Sequence, residues 1–149
     1  MVNKGVKLRL SACTQGSDIA LKEFMKRAET QGLTIQVVLQ NGSNMNCILV
    51  LDINSRSLVI RNGEKMRVVP FNTIKNVLAT PQQLARVDTQ QDITNDPYAV
   101  GLHLYKTESC IPMRMESNED KQNLIEMLKS FGIPPQKSKK IEGNQPAVN

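Results

Sequence analysis

Few side chains in this sequence are of types that carry chemistry, and none has the spacing of a catalytic or metal site. His103 is the single histidine, and it lies in an alternating strand pattern that is more often structural than catalytic. Asp88, Asp92 and Asp96 lack the Asp-x-Asp-x-Asp-Gly spacing of a calcium loop. Nucleophile-elbow, phosphate-loop and His-Glu-x-x-His motifs are missing. We therefore predict a protein that is not an enzyme, with no metal, no cofactor and no small-molecule substrate.

The three cysteines are widely spaced, which argues against a disulfide framework and against a structural zinc site. Cys47 and Cys110 fall inside strand-like runs, where a buried thiol acts as a small apolar group. Cys13 lies near the N-terminus and is a candidate for S-acylation. One reversible acyl chain anchors a protein only marginally, so this modification predicts weak membrane contact.

The net charge of +5 is placed at the two ends of the chain. Residues 33–131 carry ten basic and ten acidic side chains, whereas both flanks are basic. A nucleic-acid binder usually places a basic patch on its folded part, so we expect no nucleic-acid partner. No apolar run approaches the roughly 20 residues of a membrane span, and no secretory signal is evident. We expect a soluble, intracellular protein.

An amphipathic helix is predicted over residues 17–32, after a flexible segment of residues 1–16. Ser17 is the expected N-cap, and Gly32 is a natural residue to follow the last turn. Leu21, Phe24, Met25 and Ala28 share one face of this helix. We expect that face to pack on the domain. The alternative is that Phe24 and Met25 contact a partner or that the helix lies on a membrane surface.

A series of short apolar segments, separated by turn residues, predicts consecutive antiparallel strands. The segments cover residues 33–40, 45–53, 57–61, 65–70, 71–78, 98–105 and 110–116. Asn41-Gly42 and Asn62-Gly63 favour tight hairpins because both residue types tolerate positive φ. A capping box at Thr80 predicts a short helix over residues 82–87, followed by a polar loop over residues 88–97.

A second amphipathic helix is predicted over residues 119–131, and a disordered polar tail over residues 133–149. This element order predicts a mainly β, pleckstrin-homology-like domain over residues 33–132. Its seven strands would form two near-orthogonal sheets in a partly open barrel or sandwich. The C-terminal helix would cap the barrel, and the N-terminal helix would precede it.

Four short segments carry a resemblance to a known family. The segments are VVPFNTIKNVL (68–78), QLARV (83–87), NDP (95–97) and CIPMR (110–114). They resemble the inner-membrane-complex sub-compartment proteins, small pleckstrin-homology-like proteins of apicomplexans and other alveolates. The resemblance implies a lipid tether on a Gly at position 2 and on nearby cysteines, and a domain that binds proteins. Val2 stands at that position here, so the start needed for myristoylation is missing.

The first hairpin lacks the charges that a lipid headgroup needs. Pleckstrin-homology domains that bind phosphoinositides use Lys and Arg of the first two strands and their loop, and residues 28–55 contain neither. We therefore expect a scaffold of the cortical membrane and cytoskeleton, or pellicle, that binds protein partners through two surfaces. The hairpin tip offers Asn41, Ser43, Asn44 and Asn46. The 88–97 loop offers Asp88, Gln90, Asp92, Asn95 and Asp96.

Two alternatives remain for this function. In one, the protein is a peripheral membrane binder that uses its basic flanks or an acylated Cys13. In the other, it is a structural component associated with microtubules.

Overall fold

The computed structural model describes residues 12–106 and 109–137, with side chains described from residue 18 onward. Three α-helices lie along these ranges: α1 (Ala12–Thr30), α2 (Pro81–Leu84) and α3 (Asn118–Ser130). The strands are β1 (Leu33–Val38), β2 (Asn44–Asp52), β3 (Ser57–Asn62), β4 (Lys65–Pro70), β5 (Ile74–Leu78), β6 (Ala99–Leu104) and β7 (Cys110–Arg114). A 3₁₀ turn, Phe71–Thr73, links β4 to β5.

The seven strands form one antiparallel sheet in the order β4-β3-β2-β1-β7-β6-β5. The predicted pleckstrin-homology-like architecture is confirmed, but the two predicted sheets are continuous through β1. β1 pairs with β2 along its whole length and with β7 only at Gln36–Arg114 and Val37–Met113. The end strands β4 and β5 do not pair with each other, so the sheet stays open.

One hydrophobic core unites both halves of the sheet with the C-terminal helix. The inner faces of β2 and β3 meet those of β6 and β7 in this core, and its members are mostly aliphatic. Leu124, Met127 and Leu128 of α3 are fully buried in it. The Ser117 side chain caps α3 by accepting from the Asp120 N–H at 3.0 Å. The helix therefore plugs the open end of the sheet, as the sequence pattern predicts.

The first helix is longer than predicted. It begins at Ala12 rather than after Ser17, although Cys13, Thr14 and Gly16 are weak helix formers. Phe24 is 3% exposed in the core, and Met25 packs against it. Phe24 therefore belongs to the core, whereas Met25 is only partly buried. Arg27 fixes α1 to α3 through an ion pair with Asp120 at 2.9 Å.

The folded chain extends past the predicted boundary at residue 132. The Val77 N–H donates to Pro134 O at 3.0 Å, and the Gln136 N–H donates to Val77 O at 2.8 Å. We call residues 133–136 the strap, because they lie as a short parallel partner along β5. Two adjacent prolines end a helix but suit an extended edge segment, since Pro carbonyls still accept. Residues 133–136, predicted as the start of a disordered tail, are therefore part of the fold, and residues 138–149 of that predicted tail lie outside the described residues.

Candidate interaction surface

The tip, residues 41–46, and the polar loop, residues 88–97, form one surface. The Gln90 N–H donates to Gln40 O at 2.9 Å, and Thr89 Oγ1 donates to Leu39 O at 2.7 Å. Gln91 Nε2 donates both to Gly42 O and to Asn44 Oδ1, each at 2.8 Å. The sequence indicates these two segments as separate surfaces, and the fold brings them together. We call the joined tip and polar loop the composite surface.

The tip is a turn that is held by its own side chains. Asn41 Oδ1 accepts from the Ser43 N–H at 2.9 Å and from Ser43 Oγ at 2.7 Å. This is the local pattern that makes Asn a turn residue. Gly42 has φ +93°, and a Cβ built there would lie 3.3 Å from Gln90 Cβ. Glycine is therefore required both by the turn conformation and by the closeness of the polar loop.

The polar loop packs on the sheet rather than connecting strands through solvent. Ile93 is buried in a second apolar cluster on the outer face of β1, β5 and β6. The other buried members of this cluster are Val38, Leu78, Leu84 and Ala99. Asp92 Oδ1 accepts from the Thr94 N–H at 3.1 Å and stabilises the turn beside Ile93. The loop is therefore a built surface with a fixed backbone.

An ion pair fixes the far end of the loop. Arg114 of β7 donates from Nε to Asp96, whose Oδ1 also accepts from the Tyr98 N–H at 2.9 Å. Burial alone would raise the pKa of Asp96, but these hydrogen bonds and the positive charge of Arg114 hold it below its ordinary value. Asp96 thus stabilises the loop, and its carboxylate oxygens already accept hydrogen bonds from Arg114 and Tyr98.

Lys121 of α3 is a buried cation near this ion pair. Its Nζ donates to Ala79 O at 3.0 Å, which links α3 to the end of β5. Burial lowers the pKa of Lys121, and the nearby Asp96 carboxylate partly offsets that effect. The group stabilises the corner beneath the polar loop and is not displayed on the surface.

Most of the predicted contact residues are exposed on the composite surface. Asn41, Ser43, Asn44, Asn46, Asp88, Gln90, Asp92 and Asn95 face solvent, and the side chain of Asp96 is mostly buried in its ion pair. The sequence reading missed Gln40, Thr89 and Gln91, whose side chains join the two segments. Their residue types do not reveal this role, because Gln and Thr are also common on exposed surfaces that make no such contacts.

The composite surface contains no cation. Neither the tip nor the polar loop holds a Lys or Arg. Asp88 and Asp92 are exposed, and neither forms an ion pair with another side chain in residues 18–106 and 109–137. Asp88 does accept a hydrogen bond from Gln40 Nε2. The surface is therefore polar, with a negative potential on the loop side.

A groove with a mixed apolar and polar lining continues from this surface. Beyond the Val37–Met113 pair, β1 separates from β7 and leaves a groove of about 710 Å³. Its apolar lining includes Val38, Leu39, Ile111 and Pro112. Its polar lining shares Gln40 and Asp88 with the composite surface and also includes Arg67 and Arg86. Apolar side chains with polar ones around them are the usual anatomy of a protein-recognition site.

The single histidine and two of the cysteines lie in strands, where they contact neighbouring residues of the sheet. His103 Nδ1 lies 3.1 Å from Asn76 Oδ1 across the β5–β6 pair. Burial raises the pKa of the Cys110 thiol to about 12 and also raises that of Cys47. The side chain of Cys13 lies outside the described residues. Among the described side chains, no group of His, Cys, Asp and Glu is arranged to hold a metal ion.

Comparison with known proteins assigns the family. A family model described as "ISP1 C-terminal" matches residues 23–130. The structure of inner membrane complex sub-compartment protein 1 from Toxoplasma gondii matches with 34% identity and a TM-score of 0.72, covering 75% of this chain and 90% of that chain. The chain belongs to the inner membrane complex sub-compartment protein family. This confirms the resemblance drawn from the four short segments.

A second family structure shows the same fold at lower identity. Sub-compartment protein 3 from Toxoplasma gondii matches with 20% identity and a TM-score of 0.60, covering 74% of this chain and 81% of that chain. No curated protein of similar sequence was found. Among the helices that the structure describes, none is both long and apolar enough to cross a membrane.

Proposed function

We propose that this chain is a non-enzymatic protein-interaction module in a cortical assembly of the inner membrane complex type. Its relatives are sub-compartment proteins of that membrane system, which supports a location at the cell cortex. The composite surface is the main contact in this proposal, and the partner is a protein. The adjoining groove accepts apolar side chains of the same partner.

The observation that carries this proposal is the joining of the tip to the polar loop. Five hydrogen bonds link the polar loop to residues 39–44, and two of them, both from Gln91, reach the tip itself. No Lys or Arg takes part in these bonds. A surface that is fixed before binding loses little conformational entropy when the partner arrives. The exposed carboxylates of Asp88 and Asp92 favour a partner segment that contains Lys or Arg, since opposite charges steer encounter.

The same surface argues against phosphoinositides as the ligand. A polyphosphate headgroup requires clustered Lys and Arg that donate charge-assisted hydrogen bonds. The composite surface offers amides, hydroxyls and carboxylates instead. Carboxylates repel a phosphorylated headgroup, so the tip that binds lipid in other domains of this architecture suits a protein here.

Proximity labelling of the full-length chain in its native cell tests this proposal. The charge-reversed variant Asp88→Lys/Asp92→Lys should lose most of the cortical proteins that the wild-type chain labels. Glu64→Lys/Glu116→Lys is the matched control, because it makes the same charge change at exposed sites elsewhere. Identical labelling by both variants would refute the composite surface as the contact. Labelling of microtubule proteins in place of cortical ones would support the microtubule alternative.

Vesicle flotation tests the membrane alternative with the full-length chain. We expect binding to anionic vesicles to be weak and to disappear when the basic flanking residues are changed to Gln. Acylation of Cys13 would add one lipid chain, and a Cys13→Ser variant measures its contribution in cells. Recruitment that survives neutralised flanks and loss of Cys13 would show that the domain itself binds lipid.

A further inference from the structure

A row of three valines crosses an uncovered face of the sheet. Val50, Val59 and Val68 are direct cross-strand partners on β2, β3 and β4. Because side chains alternate along a strand and Leu49 and Leu51 point into the core, Val50 and its partners point outward. Met66 and Val68 are 63% and 51% exposed. Contiguous exposed apolar side chains commonly mark an interaction site.

A second row extends the apolar area on the same side. Ile48 lies opposite Arg61, and Arg61 lies opposite Met66. We call the outward set Ile48, Val50, Val59, Met66 and Val68 the valine face. It is distinct from the outer face of β5, β6 and β7, which the polar loop and α2 cover.

The first helix covers only one margin of the valine face. Gly32 lies against the Cγ2 atoms of Ile48 and Val50, and a Cβ built on it would meet both. The last turn of α1, with Glu29 and Thr30, borders a groove of about 570 Å³ that Val59 and Met66 also line. The β3 and β4 part of the face has no covering element among the described residues.

The charges on this face are complementary to one another. Arg61 lies in the row on one side of the valines, and Asp52 lies in the row on the other side. Within the part of the chain that the structure describes, neither forms an ion pair. Glu29 adds a second unpaired carboxylate beside Val50. When a second copy is rotated by 180° about the valine row, the cation of each copy comes to the same side as the carboxylate of the other.

We propose that the valine face binds the valine face of a second copy of this chain. The two-fold axis lies along the valine row, so that Val59 meets Val59 of the other copy. This rotation places each Arg61 one strand away from the other copy's Asp52. Neighbouring strands are about 4.8 Å apart, which an Arg side chain spans. The apolar centre and the two ion pairs then form together.

The size of the face predicts a weak dimer. Three strands and two rows span on the order of 10 Å by 10 Å, which buries only a few hundred Å² per copy. Stable interfaces bury about 800 Å² per partner. Association therefore depends on protein concentration, and it becomes significant where copies are held close together.

Sedimentation velocity of the full-length chain tests the proposal directly. From about 5 to about 500 μM the wild-type chain should shift from monomer toward dimer, as expected for micromolar association. Val68→Asp should raise the dissociation constant at least tenfold. Ile19→Asp is the matched control, because Ile19 is 56% exposed on α1, away from the face. A wild-type chain that stays monomeric throughout this range refutes the proposal, as does an equal loss with both variants.

A charge exchange tests the two-fold geometry. Arg61→Asp and Asp52→Arg should each weaken the dimer, and the double variant should restore it because the pair is re-formed in the opposite sense. Asp52 also accepts from the Ser55 N–H at 3.2 Å, so thermal melting must show that each variant is folded. A double variant that is weaker than either single variant would contradict the reciprocal pairing.

Disulfide trapping gives a second readout of the axis. Val59→Cys, in a Cys13→Ser background, should form an intermolecular disulfide under mild oxidation because the two Val59 positions meet at the axis. Ile19→Cys in the same background is the control for random collision. Equal rates of cross-linking at both positions would refute the proposed axis.

Discussion

Gln91 Nε2 donates to Asn44 Oδ1 at 2.8 Å, and this bond joins two segments that lie 47 residues apart. The same nitrogen donates to Gly42 O at 2.8 Å, so one side-chain amide holds both the turn and the start of β2. Asn44 in turn donates from Nδ2 to Gln36 Oε1 at 3.3 Å, which continues the network along β1. The contact between the tip and the polar loop therefore depends on amide groups, whereas an ion pair between Asp96 and Arg114 fixes the far end of the loop.

Replacing Gln91 by Ala should loosen the polar loop without unfolding the domain. Two hydrogen bonds are lost, so we expect the free energy of unfolding to fall by about 1–2 kcal/mol. Amide hydrogen exchange at Gln90, whose N–H donates to Gln40 O, should become faster. Gln82→Ala is the control, because Gln82 is exposed on α2, outside this network. Unchanged exchange at Gln90 would contradict the role of Gln91.

Gly42 and Gly63 allow the contact between tip and loop to be separated from backbone strain. Both have positive φ, but a Cβ at Gly42 would lie 3.3 Å from Gln90 Cβ, whereas nothing lies within 4 Å at Gly63. Each Gly→Ala change should cost about 1 kcal/mol through strain. Gly42→Ala should cost more in chemical denaturation, because the loop must also move. Equal costs would show that the tip and the loop are not in close contact.

Local patterns in the sequence predicted much of the fold. The Asn-Gly turns, the capping box at Thr80 and the apolar stripe of α3 all depend on neighbours within a few residues. In the structure Thr80 Oγ1 accepts from the Gln83 N–H at 3.3 Å, and Gln83 Oε1 accepts in return from the Thr80 N–H. Signals of this kind are local and can therefore be read directly from residue order.

The relationships that build the candidate site are not local. Nothing in the spacing of Gln91 and Asn44 indicates that they meet, because that contact requires β1 and β6 to be placed by the core. The strap was missed for the same reason, since its hydrogen bonds go to Val77 on another element. Nothing in the residue order indicates that Asp96 pairs with Arg114, which lies 18 residues away on β7.

The Asp96–Arg114 pair should give the protein a stability that depends on pH. The pKa of Asp96 is lower in the folded chain than its ordinary value of 3.8, so the folded state binds fewer protons there than the unfolded state. The stability that the ion pair adds is fully present above pH 3.8, and it is lost as the pH falls through the lowered pKa of Asp96. Asp96→Asn keeps the acceptor for Tyr98 and should lower stability by about 2 kcal/mol at neutral pH.

Denaturation curves between neutral and acidic pH measure this effect. The difference between the wild-type chain and Asp96→Asn should shrink as the pH falls below 3.8. Asp92→Asn is a matched control, because it keeps the acceptor for Thr94 and breaks no ion pair of the described side chains. A pH-independent difference for Asp96→Asn would indicate a packing effect rather than a charge effect.

The strap should contribute to the stability of the domain although its sequence is that of a tail. Ile133 is 3% exposed and joins the main core, so Ile133→Ala should cost about 2–5 kcal/mol in chemical denaturation. The same change at Ile53, which is 42% exposed, should cost much less. Loss of Ile133 should also speed hydrogen exchange at Val77, since that N–H donates to Pro134 O. A chain truncated after Gly132 that is as stable as the full chain would refute the strap as part of the fold.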